Sequence, residues 1–299
     1  MKKVLLLGAG LVTRPMVNYL LKHGLHVTIA TRTVSKADTL VSKCEGQRNY
    51  ATKPLDAVND EAGLAKEIEQ NELVFSLLPA IHHVVVAKQC IAKRKHLVTT
   101  SYVSPAMQEL DEAARKAGII LLNELGLDPG IDHMSAMQHI HAVQKHGGKV
   151  VGFSSYCGGL PAVRHNNNPF GYKFSWSPRG VVSAGKNNAR FKRDGKIAEV
   201  PGETLFENYE FVDIKGLGTF EGYPNRNSID YIAKYGLQDV TDMFRGTLRN
   251  VGHCETWRHI ARLGLLDNEK QYDFTRVSPA GLIASLIGKS DTSNLGEEV

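Results

Sequence analysis

At 299 residues the chain is long enough for two domains with well-buried cores. Apolar residues make up 42% and charged ones 22%, and a net charge of +5 without any basic run argues against a nucleic-acid partner. No apolar run approaches the length of a membrane span, Met1-Lys2-Lys3 leads straight into a strand, and four scattered cysteines without paired spacing point to a reduced, cytoplasmic chain.

The first half alternates short apolar strands with amphipathic helices. Strands are expected at 3–7, 26–30, 73–77, 96–100 and 119–122, with a weaker one near 49–55. Helical patterns lie between them at 12–22, 35–43, 61–69, 81–93 and 105–117. Near-continuous apolar strands between helices imply a Rossmann-type, doubly wound parallel sheet covered on both faces. Ser104-Pro105 is a helix start, with a capping hydroxyl and a proline at the first helical position. Asp128-Pro129 repeats that pattern and is expected to open a helix running to about His146.

After Gly147-Gly148 the character changes. A strand is expected at 149–156, with further strand-like runs at 173–176, 197–200 and 213–220 separated by Gly and Pro. This reads as a second α/β domain with less regular alternation. A helix at 254–266 then leads to a polar tail, a short helical C-terminal region. The boundaries are expected at 1–126, 127–250 and 251–299.

The chemistry begins at the first strand. Gly8 permits a tight turn, and Gly10 lets the backbone approach a pyrophosphate seated against helix amides. The third position of that pattern, usually Gly or Ala, is Thr13. Arg32 ends the second strand, where an acid would bind the ribose 2′-hydroxyl of NAD. A guanidinium there can grip a 2′-phosphate instead, with Thr31 and Thr33 as small flanking donors. Most arginines are solvated surface residues, but the flanking threonines favour the phosphate contact, and the dinucleotide is therefore read as NADP.

In an open parallel sheet, ligands bind beyond the carboxyl ends of the strands. Leu77, Thr100, Ser101, Tyr102, Gly126, Leu127 and Asp128 fall there, each with an alternative role as cap or turn. Cys157, in Tyr156-Cys157-Gly158-Gly159, reads first as a small buried hydrophobe. His133, His139, His141 and His146 crowd one helix without any metal-ligand spacing, so no metal is expected.

Longer segments carry a specific resemblance. Thr99 to Ala106, Asn123 to His133, Ser155 to Pro161, Asn168 to Ser177, Tyr223-Pro224-Asn225-Arg226 and Arg245-Gly246-Thr247-Leu248-Arg249 resemble the saccharopine reductases. These are NADP-dependent, glutamate-forming saccharopine dehydrogenases of lysine metabolism, and the likeness runs from the first strand to about Leu266. It implies hydride transfer at an imine, interconverting saccharopine with L-glutamate and α-aminoadipate semialdehyde. It implies NADP contacts from Gly10, Leu11, Val12, Thr13, Thr31, Arg32, Thr33, Asp56, Ala57, Leu77, Thr100, Gly126, Leu127 and Asp128. It implies substrate contacts from Ser101, Tyr102, Asp128, Arg226, Thr247, Leu248 and Arg249. Arg226 and Arg249 suit the three carboxylates of saccharopine. Tyr102, Asp128 and Cys157 are the candidates for proton handling at the nitrogen, with Asp128 foremost because a carboxylate also stabilises an iminium charge.

The chain departs from the family at Asn227, where an acid is usual, at Asn250, where an aromatic is usual, and across Ala162-Val163-Arg164-His165. Family members also continue beyond this C-terminus. An exposed apolar patch is therefore expected, with instability or association as a homo-oligomer following. The ending leaves a catalytically silent NADP-binding relative as an alternative, and a reductase of another amino-acid imine is a weaker third reading. One consequence of the Arg32 assignment is testable at once. Arg32→Asp should weaken NADPH binding by at least about tenfold more than NADH binding, measured by titration of both. An equal loss for both dinucleotides rules out the phosphate clamp.

Overall fold

The computed structural model describes residues 2–46, 49–267 and 271–298; residues 268–270 and Val299 of the expected C-terminal region lie outside these. The chain divides into two compact units, Met1–Ser135 and Ala136–Val299.

The first unit is built from β1 (Lys3–Leu7), α1 (Thr13–Lys22), β2 (His26–Thr31), α2 (Val34–Ser42), β3 (Tyr50–Pro54), α3 (Glu61–Glu69), β4 (Leu73–Ser76), α4 (His83–Ala92), β5 (His96–Thr99), α5 (Pro105–Gln108), α6 (Asp111–Ala117) and β6 (Leu121–Leu122). Its six strands form one sheet in the order β3-β2-β1-β4-β5-β6, and every pair is parallel. That is the doubly wound arrangement with its switch point between β1 and β4. Consecutive residues of β1 point to opposite faces. Leu5 and Leu7 pack with Leu64, Ile68, Val86 and Leu97, whereas Val4 and Leu6 pack with Val17, Leu20, Ile29 and Leu40. A strand buried on both sides is why the run Val4-Leu5-Leu6-Leu7 is apolar without alternation.

Two expected helices are broken. The stretch at 81–93 begins with a single 3₁₀ turn, Ala80–His82, before α4. The stretch at 105–117 is α5 and α6, because Leu110 bonds back to Met107 O at 3.1 Å and turns its side chain onto the core. Ser104 does cap α5, accepting from Met107 N at 3.2 Å, with Pro105 at the first position.

The expected helix start at Asp128-Pro129 is corrected by the structure. Helix α7 (Ile131–Lys145) begins later, and the preceding segment is a turn. Gly126 N donates to Pro129 O at 2.8 Å and Ile131 N to Gly126 O at 3.0 Å. Gly130 closes this turn at φ +150°, where a Cβ would lie 2.1 Å from Gly126 O. Asp132 Oδ1 accepts from Gly130 N at 2.6 Å within this turn.

The second unit holds β7 (Gly152–Cys157), α8 (Pro178–Ala184), β8 (Ala189–Arg193), β9 (Lys196–Val200), β10 (Glu210–Ile214), β11 (Gly218–Pro224), α9 (Asp230–Lys234), β12 (Asp242–Asn250), α10 (His253–Arg262), α11 (Pro279–Leu286) and α12 (Leu295–Glu298). Its strands form a mixed sheet in the order β10-β11-β12-β8-β9, with β7 parallel to β12. The expected strand at 173–176 is instead a loop, ended by Ser177, whose hydroxyl caps α8. The expected strand at 213–220 is a hairpin, because Gly216 at φ +80° turns the chain and separates β10 from β11. The expected helix at 254–266 spans a shorter stretch as α10.

Glu221 ties this unit together. It is 2% exposed on β11, and its two oxygens accept from Gly252 N and Cys254 N, each at 2.7 Å. A carboxylate thus closes the first turn of α10, where the helix dipole favours negative charge. Glu221→Ala leaves both amides unpaired and should destabilise the protein by about 2–4 kcal/mol, read from urea unfolding. A loss below about 0.5 kcal/mol contradicts this role.

Candidate functional site

The glycine loop lies where β1 feeds α1. Gly8 turns at φ +104°, donates to Ala30 O at 3.0 Å, and would place a Cβ 3.2 Å from Leu77 O. A Cβ on Gly10 would meet nothing within 4 Å, so the backbone is open there to a close neighbour. Val12 occupies the N-cap of α1 and supplies no side-chain cap; Thr13 N donates to Gly10 O at 3.2 Å and Pro15 has no N–H, which leaves the amides of Val12 and Arg14 for a ligand. Thr13 is fully buried, and its hydroxyl has no hydrogen-bond partner. Leu11 and Val12 are exposed beside the loop.

Arg32 follows β2 directly and is exposed, flanked by half-buried Thr31 and exposed Thr33. Asp56 and Ala57 follow β3. The Asp56 carboxyl is held below its ordinary range first by the Asn59 side chain and then by the Val58 amide, with Arg32 adding a smaller pull. Asp56 is thereby the anchor of its own turn, accepting from Val58 N at 3.1 Å and Asn59 Nδ2 at 3.0 Å.

The strand ends β4, β5 and β6 carry the remaining candidates of this unit. Leu77 N donates to Leu7 O at 3.0 Å, fixing the loop at the switch point. Thr100, Ser101 and Tyr102 follow β5, and Gly126, Leu127 and Asp128 follow β6. Tyr102 Oη donates to Asp128 Oδ1 at 2.5 Å, so two of the proton-handling candidates form one unit. The geometry also supplies contacts that the sequence reading did not make. Val103 N donates to Glu124 Oε1 at 3.0 Å, and Glu124 Oε2 stands 3.0 Å from His133 Nε2. Ser76 Oγ lies 3.0 Å from His83 Nδ1, and His83 Nε2 lies 2.9 Å from Ser101 Oγ. Burial holds the His83 imidazole down to a pKa of about 4, with His82 adding to the effect. His83 could have been suspected only as a histidine seven residues after a serine ending a buried strand.

In the second unit, Cys157 ends β7 and sits opposite Thr247 of β12. The backbone behind it is tightly packed: a Cβ on Gly158 would lie 2.4 Å from Leu248 O. Arg226 occupies the exposed turn after β11 at φ +51°. Leu248 and Arg249 are each 8% exposed. The Arg249 guanidinium stacks over Tyr172 at 4.8 Å and donates to Leu248 O at 2.9 Å, while its Nε is buried without a partner. Among the described residues, none of the four cysteines is in a disulfide. Among the described residues, no helix is long and apolar enough to cross a membrane.

Two family models match the chain: "Saccharopine dehydrogenase NADP binding domain" over residues 4–122 and "Saccharopine dehydrogenase C-terminal domain" over residues 126–295. The saccharopine dehydrogenase [NADP(+), L-glutamate-forming] of Pyricularia oryzae is 46% identical over 270 residues, 90% of this chain and 59% of that protein. Its counterpart from Schizosaccharomyces pombe is 44% identical over 281 residues, 94% of this chain and 62% of that protein. The apo histidine-tagged saccharopine dehydrogenase (L-Glu forming) from Saccharomyces cerevisiae superposes with a TM-score of 0.82 at 38% identity, covering 97% of this chain and 65% of that one. The chain thus spans about three-fifths of the length of these two curated relatives.

His83 allows a test that needs no ligand. Its folded pKa of about 4 lies below the ordinary 6.5, so the unfolded chain binds the extra proton between those values. The stability this neutral imidazole contributes is present above pH 6.5 and is lost as the pH falls towards 4. Wild type should therefore lose on the order of 3 kcal/mol more than His83→Gln across that interval, measured by denaturant unfolding. Parallel pH curves for the two proteins contradict a buried neutral His83.

Proposed function

The chain belongs to the saccharopine dehydrogenase family, and from that premise we propose that it interconverts saccharopine with L-glutamate and α-aminoadipate semialdehyde, using NADP. The observation that carries this reading is the Tyr102–Asp128 hydrogen bond at the same sheet edge as the uncapped start of α1.

The residues present fit the dinucleotide. Open backbone at Gly10 and the amides of Val12 and Arg14 at the uncapped start of α1 suit a pyrophosphate. Arg32, with Thr31 and Thr33, suits a 2′-phosphate, and exposed Leu11 and Leu127 offer apolar surface to its rings. Bound NADP supplies the hydride acceptor or donor, and the protein supplies position and charge.

The Asp128 carboxylate, fixed by Tyr102, takes or returns a proton at the substrate nitrogen and stabilises positive charge as the imine is protonated. Tyr102 orients that carboxylate through the 2.5 Å bond and can carry the proton onward. Arg226 and Arg249 are assigned to substrate carboxylates, supported in Arg249 by a buried Nε without a partner. Cys157 is assigned a place beside Thr247 and not the role of base. We also propose a reducing, cytoplasmic setting, supported by four cysteines outside any disulfide among the described residues.

The purified chain given saccharopine and NADP⁺ should form NADPH; binding of NADPH without turnover contradicts the reading. Asp128→Asn should lower kcat by about a hundredfold or more, a larger factor than its weakening of NADPH binding. Unchanged turnover in that variant removes Asp128 from proton transfer.

A further inference from the structure

We propose that Ser76 and His83 form a one-way hydrogen-bond relay that makes the Ser101 hydroxyl a committed donor to a carboxylate of the substrate. This deepens the function proposed above and rests on it for the identity of the acceptor.

The argument is one of counting protons. Ser76, the last residue of β4, is 0% exposed, and His83 Nδ1 at 3.0 Å is its side chain's one hydrogen-bond partner among the described residues. A buried hydroxyl has one proton to give, and leaving that donor unmet costs more than leaving a lone pair unmet. Ser76 therefore donates to Nδ1. A neutral imidazole carries one N–H, so accepting at Nδ1 places the proton on Nε2. His83 is 3% exposed, and its low pKa keeps it neutral through the ordinary pH range. Nε2–H then donates to Ser101 Oγ across 2.9 Å.

Ser101 is left with an O–H to give. Unlike Ser76 and His83 it is only half-buried, and it stands in the loop after β5, next to Tyr102. With one of its acceptor positions filled from inside the protein, its hydroxyl faces outwards as a donor. A free serine would accept from an ammonium as readily as it donates to a carboxylate. The relay removes that ambiguity and favours the anionic end of an amino acid. His83 is thus a positioning residue, acting only through Ser101.

The direct test is the tautomer of His83, read from ring-nitrogen NMR of the full-length chain, with the resonance identified by its loss in His83→Gln. The relay requires a protonated Nε2 and a bare Nδ1; the opposite tautomer overturns it. The companion measurement is calorimetric binding of saccharopine to the NADPH-saturated protein, a pair that cannot transfer hydride. Ser101→Ala and His83→Leu should each weaken binding by about tenfold, the worth of one hydrogen bond to a charged group. His83→Gln, whose amide N–H can replace Nε2–H, should restore it to within about threefold, and NADPH affinity should stay level in all three. Equal losses in His83→Leu and His83→Gln contradict a donor role and leave His83 as packing alone. A wild-type chain that binds no saccharopine overturns the function proposed above, and the tautomer alone then decides the relay.

Discussion

All six strands of the first unit run the same way, and that single constraint sets where chemistry can happen. Parallel pairing sends every loop that follows a strand to one edge of the sheet. The Gly8–Thr13 loop, Arg32, the Asp56 turn, Leu77, the Ser101-Tyr102 segment and the Gly126–Gly130 turn all arrive there from different places in the chain. Their relative positions are held by the sheet rather than by one another. Cross-links then sharpen what the sheet brings close: Tyr102 to Asp128, Val103 to Glu124, and Ser101 to Ser76 through His83. Each joins a loop after β5 to a neighbouring strand end or to the helix that follows one.

The polar groups in this unit divide by burial. Ser76 and His83 are sealed inside and can only pass a direction along. Tyr102, Asp128 and Ser101, at the outer ends of such links, are only part-buried. This division anchors the outer groups through partners that are themselves sealed from solvent. The second unit applies the same economy to charge. Glu221 is spent on the amides of α10, whereas Arg249 is buried on Tyr172 with part of its guanidinium uncommitted.

Much of the first unit was legible because burial on both faces leaves a plain sequence signature. The run Val4-Leu5-Leu6-Leu7 followed by Gly8 admits few readings, and Arg32 stands a fixed distance beyond it. The second unit was read poorly, for the opposite reason. Its central strand β12 carries Arg245, Arg249 and Asn250, and the two arginines are buried. Buried charge on a strand looks like surface, and so β12 went unseen. Asp128-Pro129 misled because a capping pattern is local, whereas the use of its carboxylate is decided by Tyr102 from another strand end. The Ser-Pro pairs tell the converse story. Ser177 and Ser278 cap α8 and α11 as Ser104 caps α5, and the same local signal was available for all three.

The account rests most heavily on Tyr102 and Asp128 acting as one chemical unit. A double-mutant cycle on kcat/KM for saccharopine oxidation, with Tyr102→Phe, Asp128→Asn and the pair together, addresses that most directly. The account predicts strong non-additivity, with the double variant no slower than Asp128→Asn alone. Losses that simply multiply would show two independent side chains and contradict the shared role.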